Sequence, residues 1–331
     1  MKLVRTIVFI LLFAIAGAVY LFQLHVTQQA LKIVPDEVNR TVLISKTDPV
    51  TRIELHDPVQ KTKIALQKTN GAWMIEVPVH YPAEGLIAEG FVTAARMASQ
   101  QPRLRAEKEW EEYGLAKPEF EVLFDLQGKK TATLLIGSQT PVGKAVFARW
   151  AEERGFFLLP VEMKAMFRQS VYGLRQKRLF RTPVDRIRKI YVEMGKYSCQ
   201  WKKDGDAWYW IEPVEKFGQK ITKEHMDLLL EGLQSFHARE FLDTNKKSKA
   251  ELGFFMIHDC IWIESEDGKR EAFYFGNEVP ERNAYYGLLE GENVVFFVDR
   301  VNVVGFFDFV RKIQATNLKL ETKDLNLKAQ V

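Results

Sequence analysis

At 331 residues, with 47% hydrophobic and 27% charged residues, the chain is long enough for two ordinary domains and too apolar for wholesale disorder. Its 47 basic and 43 acidic residues leave a net charge of +4, without the strong basic bias of a nucleic-acid binder. Two cysteines, Cys199 and Cys260, are too few for a disulfide framework or a zinc site.

The first predicted element is a membrane span. Lys2 and Arg5 precede Thr6–Leu24, a run without formal charge. At about 1.5 Å per helical residue this run reaches roughly 28 Å, close to a hydrocarbon core of about 30 Å. Ala14-Ile15-Ala16 and Ala16-Gly17-Ala18 resemble signal-peptidase sites and offer a cleaved signal peptide as the competing reading. Val19, Tyr20, Leu21 and Phe22 keep the run apolar past those sites and favour an uncleaved anchor over residues 1–26. No cysteine follows the run, which argues against lipoprotein processing. The basic residues hold the short N-terminus in the cytoplasm. The expectation is therefore a single pass of the inner (cytoplasmic) membrane, with the C-terminal bulk in the periplasm or otherwise outside the cytoplasm.

Residues 27–48 read as a polar connector broken by Pro35, Asp36 and Asn39. Alternating strands follow around Arg52–His56 and Lys61–Lys68, then the Asn70-Gly71 turn and a strand at Trp73-Met74-Ile75. A helix is predicted over Ala83–Ser99. Beyond Tyr113-Gly114-Leu115, strands are predicted at Phe120–Leu126, Thr131–Ile136, Val146–Trp150 and Phe156–Leu159, with a closing helix at Val161–Arg168. The same order then recurs. Strands at Lys189–Val192, Tyr197–Trp201 and Trp208–Trp210 lead to a helix over Thr222–Phe236, followed by strands at Ile257–Ile263, Glu271–Tyr274, Tyr285–Leu289 and Val294–Val298.

Landmarks recur with the pattern, shifted by roughly 135 to 139 residues. Gly71-Ala72-Trp73, Pro78, Tyr113-Gly114-Leu115 and Leu135-Ile136-Gly137 correspond to Asp206-Ala207-Trp208, Pro213, Leu252-Gly253-Phe254 and Tyr274-Phe275-Gly276. The reading is an α+β protein of two tandem homologous domains, each of mainly antiparallel strands with one principal helix, behind one N-terminal transmembrane helix. The predicted boundaries are 49–180 and 181–313, with a C-terminal tail over 314–331.

This order of motifs resembles bacterial proteins of the domain of unknown function 4340 family. The resemblance is closest over Arg52–Leu179 and looser in the second half, where Leu252 replaces Tyr113 and Phe275 replaces Ile136. It implies one N-terminal membrane segment and genes often beside those of a gliding-motility-type ABC transport system. It brings no catalytic residues.

The residues themselves supply no catalytic signature. Gly137–Lys144 has five residues between its glycines, Ala145 after its lysine and a strand beyond, so it reads as a hairpin turn and not a phosphate loop. The six histidines lack metal-ligand spacing, no Gly-x-Ser-x-Gly elbow occurs, and the acidic residues lie on hydrophilic turns. Trp73 and Trp208, at a repeated position, read as core pillars. Arg175, Lys177, Arg178, Arg181, Arg186 and Arg188 crowd the junction, with Arg168 and Lys189 at its ends, as a solvated linker or a docking surface for a partner protein or anionic lipid. The expectation is a non-enzymatic, extracytoplasmic binding or scaffold protein without a cofactor, partnered by the inner membrane, with no nucleic acid; ABC transporter permease or auxiliary subunits are the further partners that the family resemblance implies. An envelope polymer- or lipid-modifying enzyme and a small-ligand sensor using a cleft between the repeats are the alternatives.

Overall fold

A computed structural model describes residues 43–106, 108–127, 130–243, 247–254 and 259–328, with side chains as far as 315. The expected anchor and nearly all of the connector lie outside the described residues. Among those described, no helix is long and apolar enough to cross a membrane. The chain divides between Leu174 and Arg175 into two compact units.

The first unit is an eight-stranded sheet built from β1 (Val50–Asp57), β2 (Thr62–Thr69), β3 (Ala72–Val77), β4 (Tyr81–Pro82), β5 (Phe120–Leu126), β6 (Lys130–Gln139), β7 (Ala145–Trp150) and β8 (Phe157–Pro160). Its order is β4-β3-β2-β1-β5-β6-β7-β8, with antiparallel pairing throughout. Tight turns such as Asn70-Gly71, both at positive φ, allow only antiparallel neighbours. The chain then passes through α1 (Gly85–Ser99) and returns as β5 on the free side of β1.

Alternation decides which face is covered. Along β5, Phe120, Val122, Phe124 and Leu126 are buried while the residues between them are half-buried. The buried face meets α1 through Phe91 and Val92 and through Ala88, Ala95 and Ala98, whose small side chains let the helix lie close. Two short helices, α2 (Val161–Phe167) and α3 (Val171–Leu174), close the unit. The rings of Phe91 and Phe167 are 5.6 Å apart in this core.

The second unit is also eight-stranded: β9 (Ile187–Met194), β10 (Tyr197–Asp204), β11 (Ala207–Glu212), β12 (Glu240–Phe241), β13 (Cys260–Ser265), β14 (Arg270–Val279), β15 (Ala284–Leu289) and β16 (Val295–Asp299). Its order is β11-β10-β9-β13-β14-β15-β16-β12. Apart from the two-residue edge strands β4 and β12, the strand orders correspond one to one. The helix α4 (Lys223–Ser235) takes the place of α1 and is capped by the Thr222 hydroxyl, which accepts the His225 backbone N–H at 3.3 Å. The final helix, α5 (Arg300–Lys328), packs on it through Phe236 and Phe306, 5.3 Å apart.

Correspondence extends to single bonds. The Trp73 carbonyl accepts from Ala83 N–H at 2.9 Å, and the Trp208 carbonyl accepts from Ile221 N–H at 3.0 Å, just before each principal helix. Ser138 N–H donates to the Tyr113 carbonyl at 3.0 Å, and Asn277 N–H donates to that of Leu252 at 2.8 Å. In both places the residue before the donor is glycine, Gly137 or Gly276, because a Cβ there would run into the same carbonyl oxygen. The Tyr-Gly-Leu and Leu-Ile-Gly marks of the sequence are thus two halves of one contact.

Three boundaries differ from the expectation. Residues 175–180 belong to the second unit, where Leu179 and Phe180 enter its core, instead of closing the first. The segment expected as a tail from 314 continues α5. The strand expected over Ile257–Ile263 runs instead over Cys260–Ser265, and 257 and 258 are not described.

Candidate functional site

The basic run at the start of the second unit does not stand out into solvent as a block. Arg175 is buried, its guanidinium bonded to Asp243 at 2.5 Å and stacked 4.4 Å over Phe241. This corrects its assignment to a docking surface. Lys177 donates to the Arg175 carbonyl at 3.1 Å. Further along, Glu266 holds Arg188 at 2.6 Å and Arg186 at 3.8 Å, and Glu264 holds Lys189 at 2.7 Å. Arg178 and Arg181 are exposed, and among the described residues no carboxylate lies within salt-bridge distance of either guanidinium. The backbone N–H groups of Arg181 and Thr182 are pinned by Glu271 at 2.8 and 3.2 Å. Beside this segment lie two shallow clefts of about 210 and 160 Å³, lined by mixed charges.

The neighbouring face of the sheet is chemically richer. Ile190 and Val192 of β9, Ile261 and Ile263 of β13, and Phe273 of β14 point into the core. The residues between them form rows across the opposite face. One row is Lys189, Glu264 and Arg270; the next is Tyr191, Trp262 and Ala272; the third is Glu193, Cys260 and Tyr274. Tyr191 and Trp262 stack at 5.3 Å with 19° between their planes, and Arg270 lies 4.9 Å over Trp262. Tyr191 donates its hydroxyl to Glu193 at 2.9 Å, and Tyr274 donates to Glu290 at 2.8 Å. Burial and these carboxylates push both phenols above their ordinary range, so both remain donors at neutral pH. Arg270 also meets Glu290, and it shares the smaller cleft with Arg181. The surface is therefore an aromatic pair framed by guanidinium groups.

The matching row of the first unit is Glu54 and Leu123. There Glu54 bridges Arg52 at 2.6 Å and Lys63 at 2.7 Å, and no aromatic pair forms. Sequence reasoning missed Tyr191, Trp262 and Arg270. The available signal was parity: Trp262 sits between Ile261 and Ile263, so it must face away from the core they enter.

Other sequence candidates resolve into structural roles. Gly137–Lys144 is the end of β6 and its turn into β7, where Thr140 N–H donates to the Ala145 carbonyl at 2.8 Å. Cys199 and Cys260 are buried free thiols on opposite faces of the sheet, since Cys199 pairs with Val192 and Cys260 with Glu193. Burial pushes their pKa up to about 12 and about 11, so neither is a thiolate nucleophile at neutral pH. His56 and His80 contact Glu121 and Glu76, each at 3.2 Å. Among the described residues no group of three His, Cys, Asp or Glu side chains could hold a metal ion. Trp73 and Trp208 are both buried, Trp73 in the core of the first unit and Trp208 in that of the second.

A family model described as domain of unknown function (DUF4340) matches residues 73–254, from Trp73 in β3 to Phe254 in the second unit. No curated protein and no solved structure matches the chain.

Proposed function

The chain belongs to the family described as domain of unknown function (DUF4340), and on that premise we propose that it is a membrane-anchored extracytoplasmic binding or scaffold protein. In this reading Thr6–Leu24 anchors it in the inner membrane, Lys2 and Arg5 stay in the cytoplasm, and both units lie in the periplasm. The partner is a permease or auxiliary subunit of an ABC transport system of gliding-motility type.

One observation carries the binding role: the outward face of the second sheet, where Tyr191, Trp262 and Arg270 stack beside exposed Arg181. Stacked aromatics with arginine are the side chains that supply most energy at protein interfaces. The units are tandem copies of one domain, a reading supported by the matching strand orders and by the Gly137 and Gly276 contacts. The first unit carries a polar face of Glu54, Arg52 and Lys63 where the second carries the aromatic one.

Co-purification from mildly crosslinked, detergent-solubilised membranes tests the proposal. Transporter subunits are expected with the wild-type chain and are depleted by Trp262→Ala. Recovery of the chain alone would overturn the partner assignment. A reporter active only outside the cytoplasm should work when fused after Val331; activity of a cytoplasm-only reporter there would overturn the topology.

A further inference from the structure

The two buried tryptophans of the repeat meet different surroundings. In the first unit, Lys68 and Trp73 are cross-strand partners, and the carboxylate of Glu89 from α1 sits between them. It accepts the indole N–H at 2.8 Å and the Lys68 ammonium at 2.6 Å. In the second unit, Lys203 and Trp208 are cross-strand partners in the same register. The matching position of α4 is Asp227, five residues past the N-cap Thr222 as Glu89 is five past Glu84. Aspartate is one methylene shorter, and its carboxylate makes neither contact.

A pocket of about 390 Å³ opens at that point in the second unit. Trp208, Ile221, Met226 and Leu230 give it apolar walls, and Lys203 and Asp227 stand at its edge. Trp208 is buried as a residue, but its indole N–H is not among the buried atoms and has no acceptor among the described residues, so it is left for water or a ligand in the pocket to complete. The size falls within the range of small-molecule sites.

We infer that this pocket binds a small free carboxylate carrying a short apolar chain. The ligand's carboxylate takes the place that Glu89 fills from within the first unit, accepting from Trp208 Nε1 and pairing with Lys203 Nζ. Its chain lies against Ile221, Met226 and Leu230. The charged groups lining the pocket are Lys203, Lys220 and Lys223 with Asp185, Asp206 and Asp227, which sum to zero. The choice of sign therefore rests on the arrangement of Lys203 and Trp208, whose counterpart in the first unit receives a carboxylate. This site lies wholly in the second unit and is separate from the Tyr191–Trp262 surface.

The test is a titration of the full-length chain, labelled with ¹⁵N-tryptophan, with hexanoate and separately with hexylamine. Trp208→Phe identifies the Trp208 indole resonance by its loss. Hexanoate is expected to shift that resonance saturably, and hexylamine to leave it in place. Asp227→Glu should supply the carboxylate internally, moving the resonance without ligand and weakening hexanoate binding at least about tenfold, equivalent to roughly 1.4 kcal/mol. Lys203→Gln should weaken it by a similar factor while leaving the resonance of the free protein in place. A shift produced by hexylamine but not hexanoate would overturn the inference. So would an indole resonance unmoved by hexanoate, or hexanoate binding indifferent to Asp227→Glu.

Discussion

The indole N–H of Trp73 donates to the Glu89 carboxylate at 2.8 Å, tying the edge of the first sheet to the helix that covers it. Lys68 completes the contact, its ammonium 5.4 Å over the indole. Trp73 therefore contributes both buried area and a satisfied polar tip. Trp73→Ala is expected to destabilise the first unit by about 3–5 kcal/mol, as removal of a large buried aromatic does. Trp208→Ala should cost the second unit a similar amount. Urea unfolding of the full-length chain measures both, and a loss below about 1 kcal/mol would show that the ring does not support the core.

Glu89 also predicts a pH dependence. Burial pushes its carboxyl up, but hydrogen bonds from Lys68 and Trp73 outweigh that and hold it below the ordinary carboxylate range. A carboxyl lowered by folding adds stability that is complete above its unfolded pKa and lost as pH falls through its folded one. Acidification from pH about 7 to about 3 should therefore lower the melting temperature of the wild type more than that of Glu89→Gln. Equal losses would contradict the role given to this contact.

Gly137 and Gly276 should not tolerate a side chain. A methyl group at either would meet the carbonyl oxygen of Tyr113 or Leu252 and force the turn off the strand. Gly137→Ala and Gly276→Ala are expected to cost about 1–3 kcal/mol each. Gly90→Ala in α1, where the nearest atom is the Met166 sulfur at 4.0 Å, should instead stabilise by roughly 0.5–1 kcal/mol. Differential scanning calorimetry of the three variants distinguishes these signs.

Within the basic run, position in the fold decides consequence. Arg175→Ala removes a guanidinium whose side chain is 2% exposed and which stacks on Phe241, while Asp243, 36% exposed, is left to water. About 1–3 kcal/mol should be lost. Arg178→Ala, at an exposed position, should fall within about 0.5 kcal/mol of wild type. Comparable effects from the two variants would mean that burial does not separate them.

Much of this architecture was legible because alternation and turn chemistry are local. Phe120 to Leu126 declared a half-buried strand, and Asn70-Gly71 declared a hairpin. The edge strands β4 and β12 were not legible, since two residues carry no periodicity. The basic run was misread for a different reason. Its carboxylates, Asp243, Glu264, Glu266 and Glu271, arrive from segments far along the chain, and no local pattern announces that pairing. The Tyr191–Trp262 stack likewise forms only through the register of β9 and β13. The Gly137 contact was visible as a recurring mark, but its cause, a carbonyl packed against the strand, belongs to tertiary structure.

Binding to a transporter through the second sheet is tested most directly by placing a photo-crosslinking aromatic amino acid at Trp262 in living cells and identifying its adducts. A permease or auxiliary subunit of an ABC transport system is expected at Trp262 and not at the matching Leu123 of the first unit. Equal capture of that subunit at both positions, or none at Trp262, would contradict the assignment.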